Sequence, residues 1–398
     1  MKLSQRALGI NPSPTLAIDA KAKQLVKDGL DVIGFGAGEP DFDTPEVIKN
    51  EAVVALQKGD TKYTPASGTV QLKEAICLKM ERDHGLKYTA SQVVVSCGAK
   101  HALYNLFQVI CDPGDEVIIP APYWVSYSEQ VILAGAKPVI IQTNEAGGFK
   151  MTAAHFRAAI TPRTVALILN SPSNPTGAVY TKAELEAIAA VAVEKKITVV
   201  SDEIYEKLIY EGEHVSIASL GPEIKDQTII INGVSKTYAM TGWRIGYAVG
   251  DAKIIKAIGD LQSHSTSNPT SFCQPASTFA IANPPLEEID RMVAEFRKRR
   301  DFMVETLNRI PGIRCRKPEG AFYVFPNISG LIGKQAGGKV ISDGDVFADL
   351  LLEHSKVALV PGSGFGTPEF VRLSYATSME NIEKGLSRIT KFVTDYCS

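Results

Sequence analysis

The stretch "VALILNSPSNPTGAVYTKAELEAIAAVAVEKKITVVSD", residues 165–202, decides the fold of this chain. It starts with the apolar run 165–170 and ends with the mostly apolar run 197–202. Strands that are buried on both faces have such runs, and they occur mainly in parallel sheets covered by helices. Residues 182–196, between the two runs, carry apolar residues at helical spacing and many strong helix formers. The stretch therefore predicts a strand–helix–strand unit of a parallel sheet.

The same alternation extends outward from this unit, from about residue 90 to residue 250. Further candidate strands are residues 92–96, 116–120, 138–142, 228–232 and 245–249. Helix-patterned stretches separate most of them, which is the order typical of an α/β fold. The sequence therefore predicts a large α/β domain with a mostly parallel, doubly wound sheet.

Beyond residues 282–285, "ANPP", the pattern changes. Residues 286–310 predict one long amphipathic helix, and short strands and a final helix follow it. The Gly-rich stretch 329–345 predicts a surface loop. These features indicate a second, smaller α+β domain. The predicted division is an N-terminal segment, 1–48, that packs with the small domain, a large domain, 49–285, and a small C-terminal domain, 286–398.

The charges are nearly balanced, with 42 Lys and Arg residues against 44 Asp and Glu residues. A net charge of -2 argues against a surface for nucleic acid or for an anionic membrane. The basic run 297–300, "RKRR", is therefore interpreted as a solvated helix face. The apolar runs are too short to span a bilayer, and the N-terminus lacks the apolar core of a secretory signal. We therefore expect a cytoplasmic protein with no nucleic-acid or membrane partner.

The cysteine and histidine spacings show no pattern typical of a metal site. The six cysteines are dispersed without a CxxC pair, and they predict free, mostly buried thiols. No cluster of His and acidic residues has the sequence spacing of metal ligands, so we expect no structural metal.

Residues 93–110, "VVVSCGAKHALYNLFQVI", predict a strand, a tight turn at Gly98 and a helix. The unpaired N–H groups at the start of such a helix favour an anion, and a glycine lets the backbone approach it closely. Lys100 puts a cation in the first turn, which the helix dipole disfavours unless an anion is nearby. A phosphate site and a turn without a ligand both remain open on this stretch alone. The chain has no GxxxxGK[ST] motif, and "GFGAG" and "GSGFG" lack the dinucleotide spacing.

Polar side chains follow other strands of the predicted sheet. Asn174 lies in the proline-fixed turn "NSPSNPTG". Asp202 ends a strand, and Tyr205 comes three residues later. Asp202 is either a helix N-cap or a buried charge with a cationic partner. Arg372 lies in the strand pattern "VRLSYA", and it either forms an internal salt bridge or binds a ligand carboxylate.

The stretch "NGVSKTYAMTGWRIGY", residues 232–247, contains two cations, Lys236 and Arg244, and no acid. An isolated lysine that can form an imine, a phosphate site and an acid for a cationic ring nitrogen are together what pyridoxal 5′-phosphate requires. Lys236, the turn at Gly98 and Asp202 supply these three features near the ends of predicted strands. The residues therefore indicate a pyridoxal-phosphate enzyme.

The sequence resembles the fold type I pyridoxal-phosphate aminotransferases nearly from end to end. Within them it is most similar to the bacterial-type aspartate aminotransferases, including those that also accept prephenate. The resemblance is carried by "GAGEPDFDTP" (36–45), "TKYTPASG" (61–68), "APYWVSY" (121–127), "NSPSNPTG" (170–177), "SDEIYE" (201–206), "SKTYAMTGWRIGY" (235–247), "GAFYVF" (320–325) and "VRLSYAT" (371–377).

The resemblance implies the transfer of the amino group of L-aspartate to 2-oxoglutarate, giving oxaloacetate and L-glutamate in a ping-pong cycle. Four alternatives stay open. They are an aspartate/glutamate–prephenate aminotransferase, an aromatic aminotransferase, a pyridoxal-phosphate β-lyase on the same scaffold, and a regulatory or binding module without enzymatic activity.

For the cofactor, the resemblance implies a role for each matching residue. Lys236 holds pyridoxal 5′-phosphate as an internal aldimine and later carries the proton between Cα and C4′. Asp202 pairs with the ring nitrogen, Tyr205 and Asn174 bind the 3′-oxygen, and Trp124 stacks on the ring. By itself, Trp124 would be interpreted as a core residue. We expect burial and the neighbouring cations to lower the pKa of the Lys236 amine toward neutrality.

The phosphate is implied to bind at the turn formed by Gly98, Ala99 and Lys100, together with Arg244. Tyr63 is implied to reach the phosphate from the partner subunit, although by itself it would be interpreted as a core residue. A homodimer with shared active sites would then be necessary for activity.

The resemblance also implies a site for amino acid and 2-oxo acid substrates. Arg372 binds the substrate α-carboxylate, assisted by the Gly38 backbone and by Asn174, and Trp124 borders the same site. Lys100 binds the distal carboxylate. A flexible ammonium holds a carboxylate less tightly than a guanidinium does, so we expect weaker selection among dicarboxylic substrates.

Overall fold

The computed structural model describes residues 2–12 and 14–397. Its strands are β1 (Ile33–Gly34), β2 (Val93–Ser96), β3 (Glu116–Ala121), β4 (Lys137–Gln142), β5 (Thr164–Asn170), β6 (Thr198–Asp202), β7 (Thr228–Gly233), β8 (Gly246–Val249), β9 (Tyr323–Val324), β10 (Gln335–Ala336), β11 (Lys339–Val340), β12 (Val357–Ala358), β13 (Val360–Pro361) and β14 (Val371–Ser374). Its helices are α1 (Gln5–Leu8), α2 (Pro14–Lys27), α3 (Glu46–Gln57), α4 (Val70–His84), α5 (Ala99–Ile110), α6 (Ser126–Leu133), α7 (Ala153–Ala159), α8 (Lys182–Lys195), α9 (Pro222–Asp226), α10 (Ala252–Ser263), α11 (Cys273–Ala282), α12 (Leu286–Leu307), α13 (Gly344–Ser355) and α14 (Met379–Tyr396).

A seven-stranded sheet with the order β2-β8-β7-β6-β5-β3-β4 forms the centre of the molecule. Strand β8 pairs antiparallel with both of its neighbours, and the pairs from β7 to β4 are parallel. The predicted α/β fold with a mostly parallel sheet is therefore confirmed. In the register, Asn170 pairs with Asp202, and Asp202 pairs with Ile231, so the carboxyl ends of β5, β6 and β7 lie side by side.

The packing on the two faces of strand β5 explains why its sequence is almost entirely apolar. Ile168 points into a core that contains Leu106 and Phe107 of α5, whereas Leu167 and Leu169 point to the other face. Leu169 and its neighbours pack there against helix α8. Because successive side chains of a strand point to opposite faces, a sheet covered by helices on both sides buries every one of them.

Residues from both ends of the chain form a second structural unit. Strand β14 pairs antiparallel with β13 and with β9, and β1 pairs in parallel with β12. The long helix α12 buries Met292, Phe296 and Met303 in the same core as Phe35 and the β14 residue Leu373. The division of the chain at residues 48 and 285 stays a prediction.

The Gly-rich stretch 329–345 is more ordered than a plain surface loop, so that prediction is wrong in part. Strands β10 and β11 form a short antiparallel hairpin in it, and α13 begins at Gly344. Gly337 and Gly338 connect the two strands with φ angles of 56° and 79°. A two-residue hairpin turn needs such positive φ angles, which glycine adopts without strain.

The basic run 297–300 is solvated only in its first half. Arg297 and Lys298 are exposed, but Arg299 and Arg300 are buried. Arg299 Nη1 lies 2.8 Å from Asp41 Oδ1, and Arg300 donates to the Pro318 carbonyl over 2.8 Å. The interpretation as one solvated face is therefore wrong for the last two residues, because the helix turns them toward the protein.

Within residues 2–12 and 14–397, no helix is both long enough and apolar enough to cross a bilayer.

Candidate active site

A cleft of about 520 Å³ lies at the carboxyl ends of the central strands. Ten of the residues singled out by the sequence line it, namely Gly38, Ala99, Lys100, Trp124, Asn174, Asp202, Tyr205, Lys236, Arg244 and Arg372. They come from the strand ends of the central sheet, from the segment that follows β1, and from β14. The fold thus brings most of the predicted site together in one place.

The turn between β2 and α5 is shaped around the side chain of Arg244. Gly98 has a φ of 91°, and a Cβ atom added to it would lie 2.3 Å from Arg244 Nη2. A Cβ atom on Gly246 would lie 2.1 Å from the Ala99 nitrogen. Glycine at position 98 lets the guanidinium approach the start of the helix, and glycine at position 246 lets strand β8 lie against the same turn. The first N–H groups of α5 and the guanidinium together form a site suited to an anion.

Arg244 is held in this place by backbone carbonyls. Its Nη1 donates to the Thr241 carbonyl over 2.8 Å, and its Nη2 donates to the Cys97 carbonyl over 3.2 Å. The described residues provide no carboxylate within ion-pair distance of it, so its charge remains available to a ligand.

Lys236 follows β7, and its amine points into the cleft, where Nζ donates to the Gly38 carbonyl. The ring centroids of Phe322 and Tyr205 lie 5.7 and 6.0 Å from Nζ. Burial lowers the pKa of the Lys236 amine to about 8; Glu39 opposes this shift, and Arg244 adds to it. A substantial fraction of the amine is therefore neutral near pH 8, and only the neutral form can attack a carbonyl or accept a proton.

Asp202 is the last residue of β6, and its side chain is buried in the floor of the cleft. The Tyr127 hydroxyl donates to Oδ2 over 2.7 Å, and the Ile204 N–H donates to Oδ1 over 3.2 Å. Residues 203–207 form turns rather than a helix, so Asp202 is not a helix N-cap. Burial raises the pKa of Asp202 to about 6, although the Tyr127 hydrogen bond opposes the shift. The carboxylate thus lacks the cationic partner that would favour its charged form.

Arg372 is 1% exposed and lies across the cleft from the sheet, in β14. Its Nη1 donates to Asn174 Oδ1 and its Nη2 to the Gly36 carbonyl, each over 3.0 Å. Its Cζ lies 4.4 Å from the Tyr323 ring centroid, and Nε has no hydrogen-bond partner. In the described part of the chain no carboxylate pairs with this guanidinium, so the internal salt bridge is wrong. A buried, unpaired guanidinium is suited to an incoming carboxylate.

Tyr205 and the pair of Lys100 and Trp124 complete the walls of the cleft. The Tyr205 hydroxyl lies 3.0 Å from the Tyr323 hydroxyl. Lys100 Nζ lies 4.8 Å from the Trp124 ring centroid, which places the ammonium over an aromatic face. Burial, with a further contribution from Arg244, lowers the pKa of Lys100. Trp124 is half-buried and faces the cleft, so it is not a plain core residue.

The structure does not bring Tyr63 to the cleft of its own chain. Its side chain is 90% exposed, and it is absent from the lining of the cleft. It is therefore not a core residue.

The sequence interpretation missed two tyrosines, Tyr127 and Tyr323, that contact the functional side chains. Tyr323 lies in an apolar sequence context in which a tyrosine is usually a core residue, whereas Tyr127 lies between two serines. Tyr127 did carry a signal, because it comes three residues after Trp124 and so lies near it on a helical turn.

Most of the chain matches a known protein family. The family model described as aminotransferase class I and II matches residues 30–389. This chain belongs to that family.

Two curated relatives and one solved structure resemble the aminotransferase over nearly its whole length. An aspartate aminotransferase of Geobacillus stearothermophilus is 55% identical over 99% of both chains. An aspartate/prephenate aminotransferase of Cereibacter sphaeroides is 49% identical over 98% of both chains. The crystal structure of the aspartate aminotransferase from Rhizobium meliloti has a TM-score of 0.96 with 45% identity, and the match covers 100% of both chains.

Aminotransferases of this family use pyridoxal 5′-phosphate and act on amino acids and oxo acids. Two observations show that the cleft of this aminotransferase fits that cofactor. Arg244 and the glycine turn at Gly98 form a cradle for a phosphate group, and Asp202 offers a buried carboxylate without a cation to a protonated ring nitrogen. When bound, pyridoxal 5′-phosphate accepts the electron pair that is released at the substrate Cα.

Proposed function

We propose that this aminotransferase transfers the amino group of L-aspartate to 2-oxoglutarate, giving oxaloacetate and L-glutamate in a ping-pong cycle. The observation that carries the proposal is that Lys236, Asp202 and the unpaired Arg372 open into one cleft. The first two suit the cofactor, and the third suits the α-carboxylate of an amino acid. The names of the relatives, which include aspartate, support the choice of substrate.

In this proposal the cofactor is held at three points. Lys236 binds the aldehyde carbon, and Asp202 keeps the ring nitrogen protonated, with the Tyr127 hydroxyl fixing the orientation of its carboxylate. Gly98 and Ala99, at the start of α5, bind the phosphate together with Arg244, and Lys100 lies in the same first turn. Tyr205 and Asn174 donate to the 3′-oxygen, and Trp124 covers one face of the ring.

The same arrangement assigns the proton transfer to Lys236. With the cofactor and substrate bound, its neutral amine would take the proton from the substrate Cα and deliver it to the C4′ carbon of the cofactor. The surroundings of the amine favour this role, because burial lowers its pKa to about 8. The aromatic rings of Phe322 and Tyr205 lie beside the amine and give it apolar surroundings on that side of the cleft.

Two cations are assigned to the two carboxylates of a dicarboxylic substrate. Arg372 binds the α-carboxylate as a fork, positioned by Asn174 and assisted by the Gly38 backbone. Lys100, packed over Trp124, binds the distal carboxylate. Because a single ammonium fixes a carboxylate with little directional preference, we expect the enzyme to accept several dicarboxylic substrates.

The exposed Tyr63 supports a homodimer with shared active sites. Its 90% exposed side chain is available to reach the phosphate site of a partner subunit. We propose a cytoplasmic location for this dimer, since the charge balance of the chain suggests no nucleic-acid or membrane partner.

Lys236→Ala tests the chemistry directly. We expect the variant to lose all transamination while its urea unfolding curve stays close to that of the wild type. Lys150→Ala is a matched control, because Lys150 is also largely buried but pairs with Glu184 over 2.8 Å outside the cleft. The control should keep its activity, and full activity in Lys236→Ala would exclude the proposed mechanism.

The substrate is tested by Lys100→Ala. We expect kcat/KM for aspartate to fall by about tenfold to a hundredfold, the effect of one hydrogen bond to a charged group, and kcat/KM for alanine to change little. An equal loss for both amino acids would contradict the acidic substrate.

A second candidate, prephenate as amino acceptor, is favoured by the name of the Cereibacter relative. A panel of amino donors and oxo acids in the half-reactions separates this activity from those of an aromatic aminotransferase or a β-lyase.

A further inference from the structure

The turn at residues 202–206 has two sides with different surroundings. Asp202 and Tyr205 line the cleft. Glu203 and Glu206 belong to the same turn but are buried on its other side, where each is at most 4% exposed. The turn therefore connects the proposed cofactor site to a second set of charged groups behind it.

These groups form a buried ion cluster, which we define as Lys79, Asp83, His84, Glu203, Glu206 and His214. Glu206 Oε1 lies 2.6 Å from Lys79 Nζ, and its Oε2 lies 2.9 Å from His84 Nε2. Glu203 Oε2 lies 3.1 Å from His214 Nε2. The cluster links helix α4, the turn 202–206 and the loop that carries His214 into one network.

Every oxygen of the two glutamates has a partner. Ser201 and Ser216 donate their hydroxyl protons to Glu203 Oε1 over 2.8 and 2.7 Å, which leaves Oε2 for His214. Lys79 also lies 3.3 Å from Asp83, and Lys207 contributes a second cation to Asp83 at 3.1 Å. A buried carboxylate with all of its hydrogen bonds satisfied is fixed in position, because any displacement leaves charge unpaired in a low dielectric.

The donor set of His84, Glu203, Glu206 and His214 also resembles that of a metal site, since their ligand atoms all lie within 4.8 Å of one another. The position of Lys79 argues against a metal. Its ammonium, 2.6 Å from Glu206, already supplies the positive charge that a divalent cation would bring, and it would repel such a cation.

We propose that the buried ion cluster is a positioning device for the active site. It anchors the turn 202–206 from behind, so that the Asp202 carboxylate and the Tyr205 hydroxyl keep the places from which they contact the cofactor. Glu203 and Glu206 are then positioning residues, because they act through their neighbours in the turn and touch no reacting atom. This inference rests on the proposed pyridoxal-phosphate site.

The backbone geometry shows how the anchor acts. The Glu203 N–H donates to the Ile231 carbonyl over 2.9 Å, and the Glu206 N–H donates to the Glu203 carbonyl over 3.0 Å. The Leu208 N–H donates to the Tyr205 carbonyl over 2.8 Å. Because the turn is this tight, a rotation that releases Glu206 also moves Tyr205, its neighbour in the chain.

The test uses Glu206→Gln, which keeps the shape of the side chain and removes its charge. We expect the dissociation constant of pyridoxal 5′-phosphate from the protein to rise about tenfold and kcat to fall by about tenfold to a hundredfold, since small misplacements of active-site groups have effects of this size. KM for the amino acid should change little, because Arg372 and Lys100 are not attached to the turn. The pH titration of the cofactor absorbance should shift as well.

Glu116→Gln is the matched control. Glu116 is 2% exposed at the amino end of β3, away from the cleft, and binds Thr161 over 2.6 Å and Arg163 over 3.0 Å. The Glu116→Gln variant removes an equally buried carboxylate charge and should have a lower melting temperature. Its cofactor dissociation constant, kcat and absorbance titration should stay at their wild-type values. Equal changes in both variants would reduce the cluster to a general stabilising element and overturn the proposal.

A milder variant serves if Glu206→Gln does not fold. His84→Leu keeps the Lys79–Glu206 pair and removes the hydrogen bond from His84 Nε2, so the same three quantities should move in the same direction by about threefold, within the range of one lost hydrogen bond. Wild-type values in this variant would contradict the anchor. One zinc ion bound per wild-type chain, with a higher melting temperature that His84→Leu abolishes, would also overturn it. A failure of the proposed function is seen separately, as a wild-type protein that binds no pyridoxal 5′-phosphate at Lys236.

Discussion

Asp202 and Glu206 are two buried carboxylates four residues apart, on opposite sides of one turn. Burial raises the pKa of Asp202 to about 6, because no cation of the described residues pairs with it. Burial also acts on Glu206, but Lys79 and His84 outweigh it and hold the pKa of that carboxyl well below its usual range. Burial removes both carboxylates from water. Lys79 and His84 compensate this cost for Glu206, whereas no cation pairs with Asp202 among the described residues.

The buried ion cluster and the cleft differ in whether their buried charges have partners among the described residues. In the buried ion cluster each glutamate lies within ion-pair or hydrogen-bond distance of a basic side chain. The cleft contains Asp202 without a cation and Arg372 without an anion. Charges that a protein buries without partners are costly, and they are typical of sites that a ligand completes.

The largest expected effect is that of Asp202→Asn on catalysis. Without the carboxylate, the ring nitrogen loses the group that keeps it protonated, and we expect kcat to fall about a thousandfold, as on removal of a strong electrostatic contact. The free energy of unfolding of the cofactor-free variant at pH 7 should be higher than that of the wild type, because an uncompensated charge is removed. Steady-state kinetics and urea unfolding give the two values. A large loss of stability would mean that the Asp202 carboxylate, like that of Glu206, is stabilised by partners within the protein.

Glu206→Gln should show the opposite balance in the cofactor-free protein. We expect a loss of about 3 to 5 kcal/mol in the free energy of unfolding, because Lys79 loses its nearest carboxylate while both remain buried. Urea unfolding without cofactor measures this loss independently of the cofactor affinity. A stability equal to that of the wild type would show that the Glu206 carboxylate, like that of Asp202, gains no net stabilisation from its surroundings.

The pH dependence of stability sharpens the comparison. The raised pKa of Asp202 means that the folded protein binds this proton more tightly than the unfolded chain does, between the ordinary value of 3.8 and about 6. Stability from this group is therefore present at low pH and is lost as the pH rises through that window, by roughly 3 kcal/mol. Unfolding free energies of cofactor-free wild type and Asp202→Asn should converge near pH 4 and differ above pH 6. Parallel curves would contradict the shift.

The smallest expected effect is that of Tyr127→Phe. Its hydroxyl donates to Asp202 over 2.7 Å, and this bond keeps the pKa of Asp202 from rising further. Removing it should lower kcat about tenfold, which corresponds to one hydrogen bond to a charged group, and move the acidic limb of the pH–kcat profile upward. Tyr180→Phe is a control, because among the described residues the Tyr180 hydroxyl accepts a hydrogen bond from the Met151 N–H alone, over 2.8 Å. An unshifted limb in Tyr127→Phe would show that the bond does not tune Asp202.

The sheet could be predicted from the sequence because burial on both faces leaves a local signature. Leu167, Ile168 and Leu169 are consecutive and all at most 2% exposed, and no other common environment of a short strand produces such a run. The stretch 329–345 had no such signature. Its two-residue strands depend on the turn conformation of adjacent glycines, which composition alone does not distinguish from a loop.

The sequence predicts those residues of the cleft whose side-chain type is unusual both for a surface and for a core. Lys236, Arg244 and Asp202 are isolated charges next to apolar strands, and such charges need a partner. Tyr127 could not be found in this way, because it lies 75 residues from Asp202 in sequence and its type is common in cores. The same holds for the buried ion cluster, in which His84 and Glu206 are 122 residues apart and no spacing rule connects them.

The pairing of β1 with β12, and the hydrogen bond from Arg372 to the Gly36 carbonyl, join the two ends of the chain. A ribosome makes the chain from its N-terminus, so the strands that carry Gly98, Asp202 and Lys236 are released well before Arg372 is translated. The edge of the central sheet that carries the proposed catalytic residues can therefore form before Arg372, which binds the substrate α-carboxylate, has been made. The binding site for the substrate α-carboxylate is therefore the last part of the cleft to be made during synthesis.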